Sequence, residues 1–191
     1  NLLPEGFRDR MPPQAEATTR ISRAMLDVLA SHGYARVTPS IVEFEETISA
    51  YGGSGMRNRL LRFSDPVSGH TLAVRGDITM QVGRIATTRL ADMARPLRLS
   101  YHGQVLRLRA TPLRPERELT QIGAELIGND SVAAASEIVS VAIAALEAAG
   151  IVDIIVDFTL PDLVETMAAG GMPLPKGGVD AVRTELDMKD A

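Results

Sequence analysis

RLSYHGQVLRLRATPLRPERELTQIGAELIG, residues 98–128, decides how this chain is read. It holds five arginines and three glutamates, in two apolar-alternating runs, 98–108 and 117–127, separated by RATPLRPE with its two prolines. Two such runs joined by a loop predict an antiparallel hairpin, in which side chains two apart share a face. Arg107 and Arg109 then lie on one face, while Arg117, Gln121, Gly123 and Glu125 keep a single face of the partner strand. Closing the hairpin is expected to merge them into one polar wall. A solvated antiparallel face produces the same alternation. Residue type separates the two readings: a guanidinium suits bidentate phosphate or carboxylate recognition, and Gln121 and Glu125 add neutral and anionic contacts. That combination fits a zwitterionic or nucleotide ligand.

The surrounding composition makes any such site local. With 191 residues, 45% of them hydrophobic, the chain is long enough for one full core, and its formal net charge of -4 excludes a generally basic nucleic-acid or membrane binder. There is no cysteine, so disulfides, thiol nucleophiles and Cys-zinc sites are out of reach. NLLPEGFRDRMPP places charges and prolines where a signal peptide needs an apolar run, and no stretch of about 18 apolar residues occurs. A cytoplasmic protein is expected, without a membrane partner.

Working outward from the hairpin, Ile21, Met25, Leu26 and Leu29 recur at helical spacing before Gly33 and predict a helix over 13–32. YARVTPSIVEFEE is β-branched and apolar but broken by Pro39, which suits an edge or interface strand. LLRFSDPVSGHTLAVR predicts a short strand pair over 60–75, and after it Asp77 or Thr79 is placed to cap a helix striped by Met80, Val82, Ile85 and Leu90. Residues 131–149 predict a helix ending at Gly150; IVDIIVDFTL reads as a buried strand, followed by a helix from Pro161 to Ala168. Residues 170–178 have linker composition, and VRTELDMKDA reads as a helical fragment.

Other chemistry is sparse. His32, His70 and His102 lack a second ligand type at metal-binding spacing, so no metal site and no cofactor are expected. GGSG at 52–55 and the Gly pair at 177–178 lack the strand, helix and lysine context of a phosphate loop, and no nucleophile signature appears. AVRGDITMQ remains as a second constellation, with Arg75 at a strand end and Asp77 and Thr79 opening a helix.

LPEGFRDRMPP, HGYARVTPSIVE around Pro39 and Glu43, LAVRGDIT, and YHGQVLRLR followed by RELTQIGAELIG occur in the order and at the spacing of one family. They resemble the catalytic core of histidyl-tRNA synthetase and of its paralogue, the regulatory subunit of ATP phosphoribosyltransferase. The resemblance implies an α+β fold, a mostly antiparallel sheet flanked by helices as in class II aminoacyl-tRNA synthetase cores. It implies one core domain over 1–191, cut before its C-terminal half because the third motif is absent. The segment around Pro39 resembles the first class II motif, which builds a dimer interface, and the hairpin resembles the second, which binds ATP.

The departures distinguish the two branches. Arg107 matches the family's arginine for the ATP α-phosphate, but Arg109 stands where a glutamate holds adenine, Ala110 replaces the next arginine, and Pro115 falls where a basic loop residue is expected. Exchanging an acceptor-only carboxylate for a donor-only guanidinium reverses charge and hydrogen-bond sense. The amino-acid half matches better: Asp77, Thr79, Gln121 and Glu125 fall on the histidine-binding positions, although RGDIT replaces the synthetase's RPEGT. The resemblance therefore implies a non-catalytic regulatory subunit of a short-form ATP phosphoribosyltransferase, with the catalytic subunit as partner, histidine as effector, a self-associated dimer, and no tRNA partner. Arg107, Arg109 and Arg117 stand as anion-binding candidates. Two other readings stay open: a histidine-activating enzyme, either a divergent synthetase or an adenylating paralogue, and a stand-alone histidine-binding scaffold.

Overall fold

A computed structural model describes residues 2–52, 60–111, 115–158 and 162–171, with residues 175, 178, 179, 181 and 182. The GGSG loop apart from Gly52, Arg114, Gly177, the segment 159–161 and nearly all of VRTELDMKDA lie outside the described residues, and the linker-like stretch is described only in part. Two compact units are present, Asn1–Val152 and Asp153–Ala191.

The expected hairpin dominates the first unit. Its strands, β5 (Leu97–Leu106) and β6 (Glu118–Ile127), pair antiparallel over ten residues each, from Leu97 opposite Ile127 to Leu106 opposite Glu118. A two-residue strand, β1 (Ala35–Arg36), lies parallel along the outer side of β5, giving the order β1-β5-β6. A second antiparallel sheet has the order β2-β4-β3, from Val42–Phe44, Thr71–Val74 and Leu61–Ser64. The class II-like α+β expectation is met, with one parallel pair in an otherwise antiparallel arrangement.

The register assigns the two faces of the hairpin. One presents Leu99, Tyr101, Gly103 and Val105 opposite Glu125, Gly123, Gln121 and Leu119. Helix α3 (Thr79–Thr88) covers it, with Ile78, Val82 and Ala86 fully buried against Leu97, Leu99, Tyr101 and Val105. Burying a side chain such as Val82 is worth roughly 1.5–3 kcal/mol. The opposite face carries Ile122 and Ala124 toward α1 (Gln14–Ser31) and α4 (Val132–Ala148), where Leu29, Tyr34 and Val141 close a second core. Arg98 grips the Glu137 carboxylate at 2.6 and 2.7 Å, and Tyr34 donates to the same group at 3.1 Å. Helix α4 begins as the sequence predicts: the Ser131 hydroxyl accepts from the Ala134 amide at 3.2 Å, and Gly150 ends it at φ +90°.

Three expectations are corrected. The polar wall does not form, because β5 ends at Leu106, which leaves Arg107 and Arg109 in the connection and sets Gly103, Tyr101 and Leu99 opposite Gln121, Gly123 and Glu125. The stretch around Pro39 is two strands in different sheets, and Glu45 and Glu46 begin a helix, α2 (Glu45–Gly52). Acidic residues favour a first helical turn, where amide groups carry partial positive charge. The run IVDIIVDF forms no strand over 151–158, and Val152, Ile155 and Phe158 are exposed; β-branched composition creates a strand only when a ladder partner is supplied. The helix expected after it is present as α5 (Leu163–Ala169) in the second unit. Among the described residues no helix is long and apolar enough to cross a membrane.

Arg75 joins the two sheets of the first unit. Its main-chain amide donates to Ile41 and its carbonyl accepts from Leu106, both at 3.0 Å. Its buried guanidinium crosses Gly103 to donate to the Gln104 carbonyl at 2.7 Å and the Pro39 carbonyl at 2.8 Å. A Cβ at position 103 would occupy the guanidinium's place, and that group moves only by surrendering those bonds. Gly103→Ala is therefore expected to destabilise the protein by about 1–3 kcal/mol. Urea unfolding checks this; an unchanged midpoint would remove the crossing from the account.

Candidate functional site

The chain reaches the site as it leaves β4. After Arg75 and Gly76, the Asp77 Oδ1 accepts from the Thr79 amide at 2.7 Å, so the carboxylate organises the first turn of α3 as a capping residue does. Its other oxygen, Oδ2, accepts from the Gln121 Nε2 on β6 at 3.1 Å. Gln121 returns its own carbonyl oxygen to the Ile78 amide at 3.0 Å, which sets the orientation of its amide group. Thus the helix start and the middle of β6 are tied by a closed set of bonds.

A second chain of bonds runs beside it. The Tyr101 hydroxyl donates to Glu125 Oε1 at 3.2 Å and lies 2.9 Å from the Thr79 hydroxyl. Tyr101 is buried, and its ring lies over Gly123, where a Cβ would collide with the hydroxyl end of the ring. The glycine at 123 is thus what lets the phenol reach across β6.

All four residues expected to bind histidine, Asp77, Thr79, Gln121 and Glu125, therefore meet in one network. Tyr101 is the member that sequence reading missed. The strand register supplies it: pairing 101 with 123 puts Tyr101 on the Gln121 and Glu125 face. The electrostatics are those of a site short of positive charge. Burial raises the Glu125 carboxyl above the ordinary glutamate range, the Asp77 charge adds to the rise, and hydrogen bonds with Thr79 and Tyr101 oppose it. Burial likewise pushes the Tyr101 phenol up to about 12. Among the described residues neither Asp77 nor Glu125 has an ion-pair partner. A bound ammonium or imidazole N–H group supplies what both carboxylates lack.

The arginines are arranged differently from the expectation. Arg117 is engaged by the N-terminal segment: its amide donates to Gly6 at 2.8 Å, its Nε donates to the Arg107 carbonyl at 3.1 Å, and its guanidinium stands 4.9 Å from the Phe7 ring centroid. Its aliphatic stem occupies the space where Gly6 lacks a side chain. Arg109 is exposed, Arg107 is half-buried, and Arg114 lies outside the described residues. The second constellation also divides: Arg75 is structural, whereas Asp77 and Thr79 belong to the network.

A carboxyl whose folded value is raised costs stability as pH climbs from its unfolded value through the raised one, since the native state then holds more protons than the unfolded state. Glu125→Gln removes that cost and keeps an oxygen to accept from Tyr101. The variant is expected to match the parent in acid, where the carboxyl is protonated in both states, and to exceed its stability at neutral pH. Thermal melts across pH check this, and a variant less stable at neutral pH would refute a strained carboxylate.

Comparison with known proteins bears on the family and the fold. The histidyl-tRNA synthetase family model matches residues 6–191. The chain is 43% identical over 189 residues to the ATP phosphoribosyltransferase regulatory subunit of Rhodospirillum centenum, covering 99% of this chain and 49% of that protein. It is 42% identical over 190 residues to the protein of the same name from Paramagnetospirillum magneticum, covering 100% of this chain and 50% of that one. The chain thus spans about half the length of the curated relatives it matches. A crystal structure described as an ATP phosphoribosyltransferase regulatory subunit/histidyl-tRNA synthetase from Bacillus halodurans superposes with a TM-score of 0.70 at 32% identity, covering 79% of this chain and 38% of that one. The family model, matching residues 6–191, places this chain in the histidyl-tRNA synthetase family, in the likeness of relatives named ATP phosphoribosyltransferase regulatory subunit.

Proposed function

We propose that the protein is the non-catalytic regulatory subunit of a short-form ATP phosphoribosyltransferase, required for activity and for histidine feedback at the first step of histidine biosynthesis. The observation that carries the reading is the pairing of Asp77 with Gln121 and of Thr79 with Tyr101 and Glu125, two carboxylates held in place with no cationic partner among the described residues. Asp77 takes the histidine ammonium group, Glu125 and Tyr101 take the imidazole side, and Gln121 keeps the two carboxylates in register. Arg109, where the adenylating branch uses a carboxylate, supports regulation over amino-acid activation. Arg107 and Arg109 supply an anion contact beside the site. The active unit contains self-associated copies of this protein and the catalytic chain. Histidine inhibits by binding one arrangement of this assembly more tightly than the other, because a ligand shifts an equilibrium only through differential affinity.

The test measures phosphoribosyl-ATP formation from ATP and phosphoribosyl pyrophosphate by a short-form catalytic subunit, with and without the full-length protein, then with histidine. Activation that histidine reverses is the expected result. No activation, with a partner shown competent by another regulatory subunit, would overturn the reading. Asp77→Asn is expected to weaken histidine inhibition at least tenfold while leaving assembly intact, as befits loss of a charge-assisted contact. Pyrophosphate exchange into ATP in the presence of histidine should be absent; its presence would establish the adenylating alternative instead.

A further inference from the structure

The face of the hairpin turned away from Asp77 and Glu125 carries a second polar site. An open groove of about 520 Å³ lies along α1, lined by Arg10, Arg23, Arg36 and His102 among others. That volume falls within the roughly 300–1,000 Å³ of small-molecule sites. Alternation along the strands puts His102, Gln104 and Thr120 on this face and Gln121 on the other, so the two sites are separated by the thickness of the sheet.

The groove is built from donors. Arg10 Nη1 donates to the Thr120 hydroxyl at 2.9 Å, and Thr120 donates in turn to Gln104 Oε1 at 3.2 Å, which anchors one guanidinium at the groove. Among the described residues Arg23 and Arg36 have no ion-pair partner, and the one carboxylate in the lining is Asp27. Ser22 is 7% exposed and lines the groove. Burial, and after it the positive charges of Arg36 and Arg75, hold the His102 imidazole below its ordinary value. Three guanidiniums against one carboxylate are unusual in a chain of net charge -4. Guanidinium forks match phosphate oxygens bidentately, and a short pocket along one helix suits a compact anion rather than a nucleic-acid backbone.

We propose that this groove binds a phosphate-bearing small molecule, with Arg23 and Arg36 as its principal ligands and Arg10 and Ser22 completing the cradle. The proposal stands on the groove alone and is independent of the histidine site. The test is calorimetric titration of the full-length protein with inorganic pyrophosphate and, separately, with ATP. Pyrophosphate is expected to bind, and Arg23→Gln and Arg36→Gln are each expected to weaken it about tenfold or more. Both side chains are exposed, so the variants should unfold at the parent's urea midpoint. Equal affinity for the two probes would assign binding to the polyphosphate; tighter ATP binding would add a base contact, and both outcomes support the site. No binding of either probe, or binding unchanged in both variants, would overturn it.

Discussion

The guanidinium of Arg75 is the constraint on which the first unit depends. It is 6% exposed and answered chiefly by carbonyl oxygens from the Pro39 segment and from Gln104 on β5. Burial lowers its proton affinity, and the Glu43 charge partly offsets this. A buried charge is tolerable only when its donors are satisfied, so the two sheets are held at one separation by the geometry of a single side chain. Gly103 is the complementary requirement, since any larger residue would take the guanidinium's place. Because Asp77 follows two residues later, the same constraint delivers the site's first carboxylate to the start of α3.

The site repeats that logic with different residues. Gly123 leaves room for the Tyr101 ring as Gly103 does for Arg75, and in each case a missing side chain on one strand admits a long polar one from elsewhere. The phenol then holds Glu125 where burial and Asp77 both disfavour its charge. Holding a carboxylate in that state costs stability, and such costs persist where a ligand later relieves them. The structural cores lie on the same elements: Ile78, just before α3, and Val82 and Ala86 on it pack below, while Asp77 before the helix and Thr79 at its start lie at the polar end.

Members of one fold family perform catalysis and regulation alike, so the fold of this chain does not choose between them. The choice lies in a few side chains. Arg109 reverses the charge that adenine recognition uses in the resembling synthetases, while the four residues proposed here to bind histidine are joined by Tyr101 in one network. Under the proposed function, the amino-acid half of the site would be kept and the nucleotide half altered, which suits sensing the amino acid rather than activating it.

The sequence by itself determined the local elements: the long hairpin, the helices flanking it, and Ser131 and Gly150 as the ends of α4; by family resemblance it also singled out four residues that the structure joins in one network. These follow from period, capping chemistry and motif order, which are properties of neighbouring residues. Tertiary structure decided the rest. Strand register set Tyr101 opposite Gly123 and moved Arg107 and Arg109 off the strand, because a pairing partner, and not alternation alone, fixes where a strand stops. Arg117 was taken by Gly6 and Phe7 from the far end of the first unit, and Arg75 by carbonyls more than thirty residues upstream. A guanidinium looks the same in sequence whether it awaits a ligand or serves the fold; only the position of distant backbone oxygens and glycines determines which, since its hydrogen bonds are made across space and leave no periodic trace along the chain.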